Sequence, residues 1–221
     1  MKFLVFTVIA LFIQACGSGA QSPVNVTAAA APTASQSRTT DITTFLGSLI
    51  SDVFSQLAGG NNGNLTSLSV NTNFNCPSGG SVQITGSSPL NWSGNSSVGY
   101  TVTINGASIS LNFSNCQITN SEDPSNPLVL SGTVNLQGLN ATLHLPATGF
   151  TNVSANAAGN TSGSLNVTAG SASSTCSIVA TETFSFTGTA ASTSVFHGTA
   201  TGEVSGTACG NTFDNHSSAT L

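Results

Sequence analysis

Charge is what this sequence has least of. Only 4% of its 221 residues are Asp, Glu, Lys or Arg, against about a quarter in ordinary globular domains. The basic residues are Lys2 and Arg38. A nucleic-acid surface needs several Lys or Arg to neutralise phosphates, so nucleic-acid binding is excluded. Electrostatic docking on anionic lipid is excluded for the same reason. One Trp and one Tyr cannot build the aromatic girdles of an outer-membrane barrel. The apolar run 4–13 is too short to cross a bilayer as a helix, which takes roughly 20 residues.

The chain is nevertheless not a disordered polymer. Hydrophobic residues make up 38% of it, and its polar residues are mostly Ser, Thr and Asn. A chain of this length forms one domain, or two small ones. It can bury roughly 70% of its unfolded surface. Such a composition fits an extracytoplasmic β protein whose wet face is built from hydroxyls and amides.

Residues 1–15 have the layout of a secretory signal: one positive charge, an apolar stretch and a small-residue cleavage site. The tetrapeptide Ile13-Gln14-Ala15-Cys16 resembles the bacterial lipobox, and Gly17-Ser18-Gly19 after it resembles a lipoprotein tether. The resemblance implies that Cys16 becomes the mature N-terminus and carries acyl chains such as palmitate. Two chains would hold the protein stably on a membrane without a transmembrane helix. The implied location is the bacterial cell envelope, at the outer membrane, with the membrane as partner through lipid on Cys16. Removing Cys16 from the five cysteines leaves an even number for disulfides.

Residues 16–40, rich in Ala, Ser, Thr, Gln and Pro, read as a flexible linker. As a coil it would span roughly 25–30 Å. Residues 41–60 read as an amphipathic helix. Ile42, Phe45, Leu46, Leu49, Ile50, Val53, Phe54 and Leu57 recur in pairs four apart. Thr40 or Asp41 can cap its start and Gly59-Gly60 its end. The broad stripe suits burial on a curved sheet. The polar face lacks the basic residues of a membrane-lying helix.

From residue 61 to 221 the pattern has period two. Candidate strands are 65–75, 81–86, 98–105, 107–114, 128–137, 139–146, 163–169, 176–187, 194–205 and 207–213. Ile109, Leu111 and Phe113 alternate with Ser108, Ser110 and Asn112. Alternation of this kind marks antiparallel strands with one wet face. Turn signals fall at 77–80, 105–106, 123–124, 138, 146 and 159–160. Asn105-Gly106 reads as a tight hairpin turn. The expected fold is all-β: an antiparallel meander forming a curled sheet, partly closed barrel or sandwich, with the N-terminal helix packed on it.

Outside the cytoplasm, disulfides among Cys76, Cys116, Cys176 and Cys209 are permitted. Three pairings exist for four cysteines. The two halves look alike, each with a cysteine, a glycine-bearing strand, a long hairpin and a second cysteine. That likeness favours Cys76 with Cys116 and Cys176 with Cys209. Cys116 falls on the polar phase of Ser110 and Asn112, and Cys209 is off the phase of Val204. A bulge or strand end is therefore expected before each second cysteine. No cysteine pair has zinc-ligand spacing. The segments Cys76-Pro77-Ser78-Gly79-Gly80 and Phe113-Ser114-Asn115-Cys116 resemble a pattern of Cys-framed, β-rich bacterial envelope lipoproteins. That resemblance implies no activity.

The inventory for chemistry is thin. There is no Gly-x-Ser-x-Gly elbow and no phosphate-cradling loop, so no cofactor is expected. His144, His197 and His216 read as solvated surface residues. Glu122-Asp123 reads as an acidic, solvated loop. Glu182 shares the core phase of Ile178, Phe184 and Phe186, which a strand end or wet sheet edge would explain. Glu203 is the remaining strand-borne carboxylate, and a glycosidase would need the two to face each other. The expected role is a non-enzymatic, membrane-anchored envelope lipoprotein that is structural, adhesive or binding, its partner an envelope protein or glycan. Carriage of an apolar ligand inside a curled sheet is the alternative, and a secreted hydrolase using Glu182 and Glu203 a third.

Overall fold

The computed structural model describes residues 25–27, 33–59, 67–95, 97–147, 151–190 and 196–220, with only the backbone at 25–27, 51–59, 67–68, 151, 190, 196, 217 and 219. The signal at 1–15 and Cys16 lie outside the described residues, as do Val53, Phe54 and Leu57 of the helix stripe beyond their backbone.

A three-residue strand β1 (Asn25–Thr27) precedes the helix α1 (Gln36–Gly59). Eight strands follow: β2 (Ser67–Asn75), β3 (Ser81–Asn95), β4 (Gly99–Ile118), β5 (Leu128–Leu145), β6 (Thr151–Ala169), β7 (Ala172–Ala190), β8 (Phe196–Ala208) and β9 (Asn211–Thr220). Strands β2 to β9 form one antiparallel meander in chain order, and β1 adds to β9 at its far side. The sheet does not close: β2 and β1 are its margins.

Two boundaries differ from the sequence reading. The helix starts at Gln36, not at 41, and its cap is Ser35. The Ser35 hydroxyl accepts from the Arg38 amide at 3.3 Å, and its carbonyl takes the Thr39 amide at 3.0 Å. The first turn carries no apolar stripe, so periodicity could not reveal it. Asp41, expected as a cap, instead accepts the Ser121 amide and hydroxyl, both at 2.8 Å. The stretch 16–40 is thus not linker throughout, since Asn25–Thr27 is a strand and the Thr33 amide donates to the Cys209 carbonyl at 2.8 Å.

The strands are also fewer and longer than expected. Asn105-Gly106 is not a hairpin turn; it lies inside β4, where the pairing shifts register between Ile104 and Ala107. Gly138 does the same inside β5, between Gln137 and Asn140. Gly159-Asn160 runs straight through β6. A left-handed glycine serves a tight turn or a bulge equally well. Gly106 and Gly138 have φ of 67° and 63°. Each bulge flips the side-chain phase, which the sequence shows as a break between two short strands. A third shift, between Ser87 and Leu90 of β3, borders the first. Together they form a crease across β3, β4 and β5, and bulges of this kind bend and twist a sheet.

The inner face is apolar and filled. Val82, Ile84, Leu128, Leu130, Val134, Val153, Ala155 and Leu165 are all at 0% exposure. Ile42, Leu46 and Leu49 of α1 join the same cluster, with Phe45 and Ile50 against it. Phe45 meets Phe113 edge to face, 6.5 Å between centroids, and α1 packs against β1, β2 and β4. The N-terminal half of α1 is also tied by polar groups. Arg38 Nε sits 2.9 Å from Glu122, and Asn211 donates to the buried Thr39 hydroxyl at 2.7 Å and to the Ala34 carbonyl at 2.9 Å.

Cys76 is bonded to Cys116 and Cys176 to Cys209, with Cα separations of 5.4 and 4.1 Å. Both second cysteines reach the inner face as the phase argument requires. Asn115 takes φ 50° and the β4–β5 register shifts between Phe113 and Cys116. Cys209 follows the end of β8, in a two-residue turn with Gly210 whose φ values are 51° and 79°. That is the left-handed pair of a tight hairpin. Gly80 is required for the first bridge: at φ 75°, a Cβ there would stand 1.9 Å from the Asn115 carbonyl oxygen.

Candidate functional site

The outer face of β6–β9 is a lattice of polar side chains in straight rows. One row runs Asn156, Ser185, Thr201, Ser218 across four strands. The next runs Ala158, Thr183, Glu203, His216, and a third Asn160, Thr181, Ser205, Asp214. The regular β7–β8 and β8–β9 pairing sets these rows, because no bulge interrupts it. Alternation alone puts every second residue of each strand on this face. The Ser185 and Thr201 hydroxyls bond each other at 2.7 Å.

An open groove of about 740 Å³ lies on this face, its lining including Asn156, Thr183, Ser185, Thr201, Glu203, His216 and Ser218. At its edge His216 stands between two carboxylates. Its Nε2 is 3.1 Å from Asp214, and its Nδ1 is 3.9 Å from Glu203. Among the described residues this is the one group of three side chains close enough to share a metal ion, their ligand atoms lying within 4.8 Å. All three are half or more exposed, at 64%, 55% and 50% for His216, Asp214 and Glu203. Water therefore screens charges there, and the two carboxylates address different ring nitrogens.

Glu182 corrects an expectation. It lies neither at a strand end nor at a sheet edge: it is mid-strand in β7, with β6 and β8 paired on either side. It points to the inner face, beside Gly159 and Val204. The Thr161 hydroxyl donates to its carboxylate at 2.5 Å. Burial raises its pKa above the usual carboxylate value, and the Thr161 hydrogen bond opposes that only in part.

The two glutamates considered for hydrolysis are thereby separated by the sheet itself. Glu182 pairs with Val204, while Glu203 pairs with Thr183. Adjacent residues of a strand face opposite sides, so Glu182 points inward and Glu203 outward.

The other titratable residues are placed simply. His144 is exposed on β5, with Thr101 Oγ1 at 3.3 Å from its Nδ1. His197 is exposed on β8. The loop 119–127 is exposed at Glu122 and most of its neighbours, and it is tied by polar contacts: Glu122 pairs with Arg38, and Asp123 accepts from Asn126 Nδ2 at 2.7 Å and the Ser125 amide at 3.2 Å.

The sequence reading placed His216 on the solvated surface, where it is, but missed that it stands opposite Glu203 across the hairpin. The signal was present in Cys209-Gly210. A two-residue turn there pairs Ala208 with Asn211 and, five residues out, Glu203 with His216.

Among the described residues, fold and site together define an open antiparallel β-meander with one helix on its inner face, two disulfides and a polar outer groove. Comparison with protein-family models, curated proteins and solved structures finds no match to this chain.

Proposed function

We propose that the chain is a non-enzymatic, lipid-anchored envelope lipoprotein of the bacterial outer membrane, whose β domain is a binding module. The outer groove on β6–β9 is its contact surface, for an envelope protein or a glycan. The observation that carries the non-enzymatic reading is the placement of Glu182 and Glu203 on opposite faces of one sheet. A hydrolase of the two-carboxylate kind needs both groups flanking one bond. Anchoring rests on the sequence, through Lys2, the apolar run and Cys16.

The carrier reading is the weaker one. The inner-face residues that would line a ligand cavity have exposures near zero, and Ile42, Leu46 and Leu49 occupy the space beside them. The described groove opens instead on the polar side.

Intact mass of the membrane-fraction protein tests the anchor, with Cys16→Ser as control. The expected result is a chain starting at Cys16 with added acyl mass, and a soluble control. An unlipidated wild-type chain refutes the anchor. For the binding role, Thr201→Tyr would fill the groove; binding to envelope extract that is unchanged by it refutes the assignment of the surface.

A further inference from the structure

The two margins of the open sheet are treated differently. The β9 margin is covered at Thr212–Asp214 by the chain's own β1, and it carries Asp214 and His216. Among the described residues no strand pairs with the free side of β2, and α1 packs against β2 without a backbone hydrogen bond to it. The nine residues of β2, Ser67–Asn75, include no charge and no proline. It pairs with β3 without any register shift, whereas the next four strand pairings each contain at least one. Soluble proteins protect a long edge with charge, proline, bulges or a cover, because its free N–H and C=O groups template another strand. The disulfide from Cys76 to Cys116 fixes the end of this edge in place.

The geometry points to a homodimer formed by antiparallel pairing of β2 with β2 of a second copy, making one continuous sheet. Three observations select a second copy as the occupant. Pairing an uncharged strand with itself opposes no like charges, in a chain of net charge −5. An antiparallel partner continues the strand alternation of the meander. A two-fold axis at Thr72 also puts like with like. Val70 then faces Phe74 of the partner subunit on the inner side, and Phe74 is only half buried in the single chain. On the outer side Asn71 faces Asn73 of the partner subunit. Apolar and polar cross-strand pairs are both favourable in this register. A shift by one residue would still pair the strands but would lose the Val–Phe contacts.

Sedimentation equilibrium of the full chain, carrying Cys16→Ser so that no lipid drives association, tests this. Wild-type β2 is expected to give twice the chain mass at micromolar concentration. The double change Asn71→Lys with Asn73→Lys, on exposed outer positions, sets introduced ammonium groups against each other across the axis. It should weaken association more than about tenfold with the far-ultraviolet spectrum unchanged. Thr72→Cys should give a covalent dimer on mild oxidation. A wild-type chain that stays monomeric overturns the inference. So does a dimer that survives the lysine pair, or one in which Thr72→Cys fails to cross-link.

Discussion

Removing one disulfide gives the sharpest test of what holds this sheet. Consider Cys76→Ala with Cys116→Ala. The bridge closes a separation of 40 residues, and the other bridge one of 33. In the chain-entropy model a loop of that size restricts the unfolded chain by about 4 kcal/mol. The dependence on length is logarithmic, so the two bridges should differ by only about 0.2 kcal/mol. Either single removal should therefore lower unfolding free energy by about 4 kcal/mol. Losing both, at about 8 kcal/mol, would consume most of a normal stability of about 5–15 kcal/mol. Urea unfolding at equilibrium reads this directly. The mechanism acts on the unfolded state, so the denaturant slope should rise as the released chain expands. A loss under about 1 kcal/mol with an unchanged slope would refute the reasoning. A loss that differs several-fold between the bridges would place the effect in native packing instead.

Two further outcomes follow from the inner face. Glu182→Gln keeps the acceptor for Thr161 and removes the charge that burial opposes. Because the folded carboxyl titrates above the unfolded one, the unfolded chain releases its proton first as pH rises. Wild-type stability should fall through the window from the ordinary carboxylate pKa up to the raised one, then level off. The variant should match wild type below about pH 4 and exceed it at neutral pH; equal stability at both, by urea titration, would contradict the burial argument. Leu49→Ala removes a side chain at 1% exposure between α1 and the sheet. It should cost about 2–5 kcal/mol, and a cost below about 1 kcal/mol would mean that the helix is not part of the core.

Most of the architecture was readable because one face is wet. Ile109, Leu111 and Phe113 sit inward in the structure as their alternation requires. The parity of Cys116 and Cys209 called for a bulge or strand end before each, and the structure has a register shift before Cys116 and a strand end before Cys209. The number of strands was not readable. A phase break at Asn105-Gly106 has the same sequence signature whether the chain reverses or bulges. Only partner strands on both sides decide, and these come from tertiary pairing. The start of α1 was hidden for another reason: Ser35 to Asp41 are held by polar contacts with Ser121, Glu122 and Asn211 that no apolar period records. Neither could Glu182 be placed, since its inward phase alone does not say whether its strand is central or marginal. The lattice around Glu203 and His216 became legible only once the two-residue turn at Cys209-Gly210 had fixed how β8 and β9 align.

Several polar ties beside α1 join residues far apart in the order of synthesis. Thr33 bonds Cys209, Ala34 and Thr39 bond Asn211, and Asn25 pairs with Asp214. During synthesis the meander can zip hairpin by hairpin, since each strand neighbours the one before it. Strand β1 and the first turn of α1 must wait for residues 209–214. Until then the Thr39 hydroxyl keeps its bond to the Ser35 carbonyl at 2.9 Å but lacks its donor, Asn211. A product cut short before Cys209 would also leave Cys176 without a mate. The β8–β9 hairpin thus locks the segment 25–39 onto strands made much later, and synthesis through residue 214 is written into the stability of the fold.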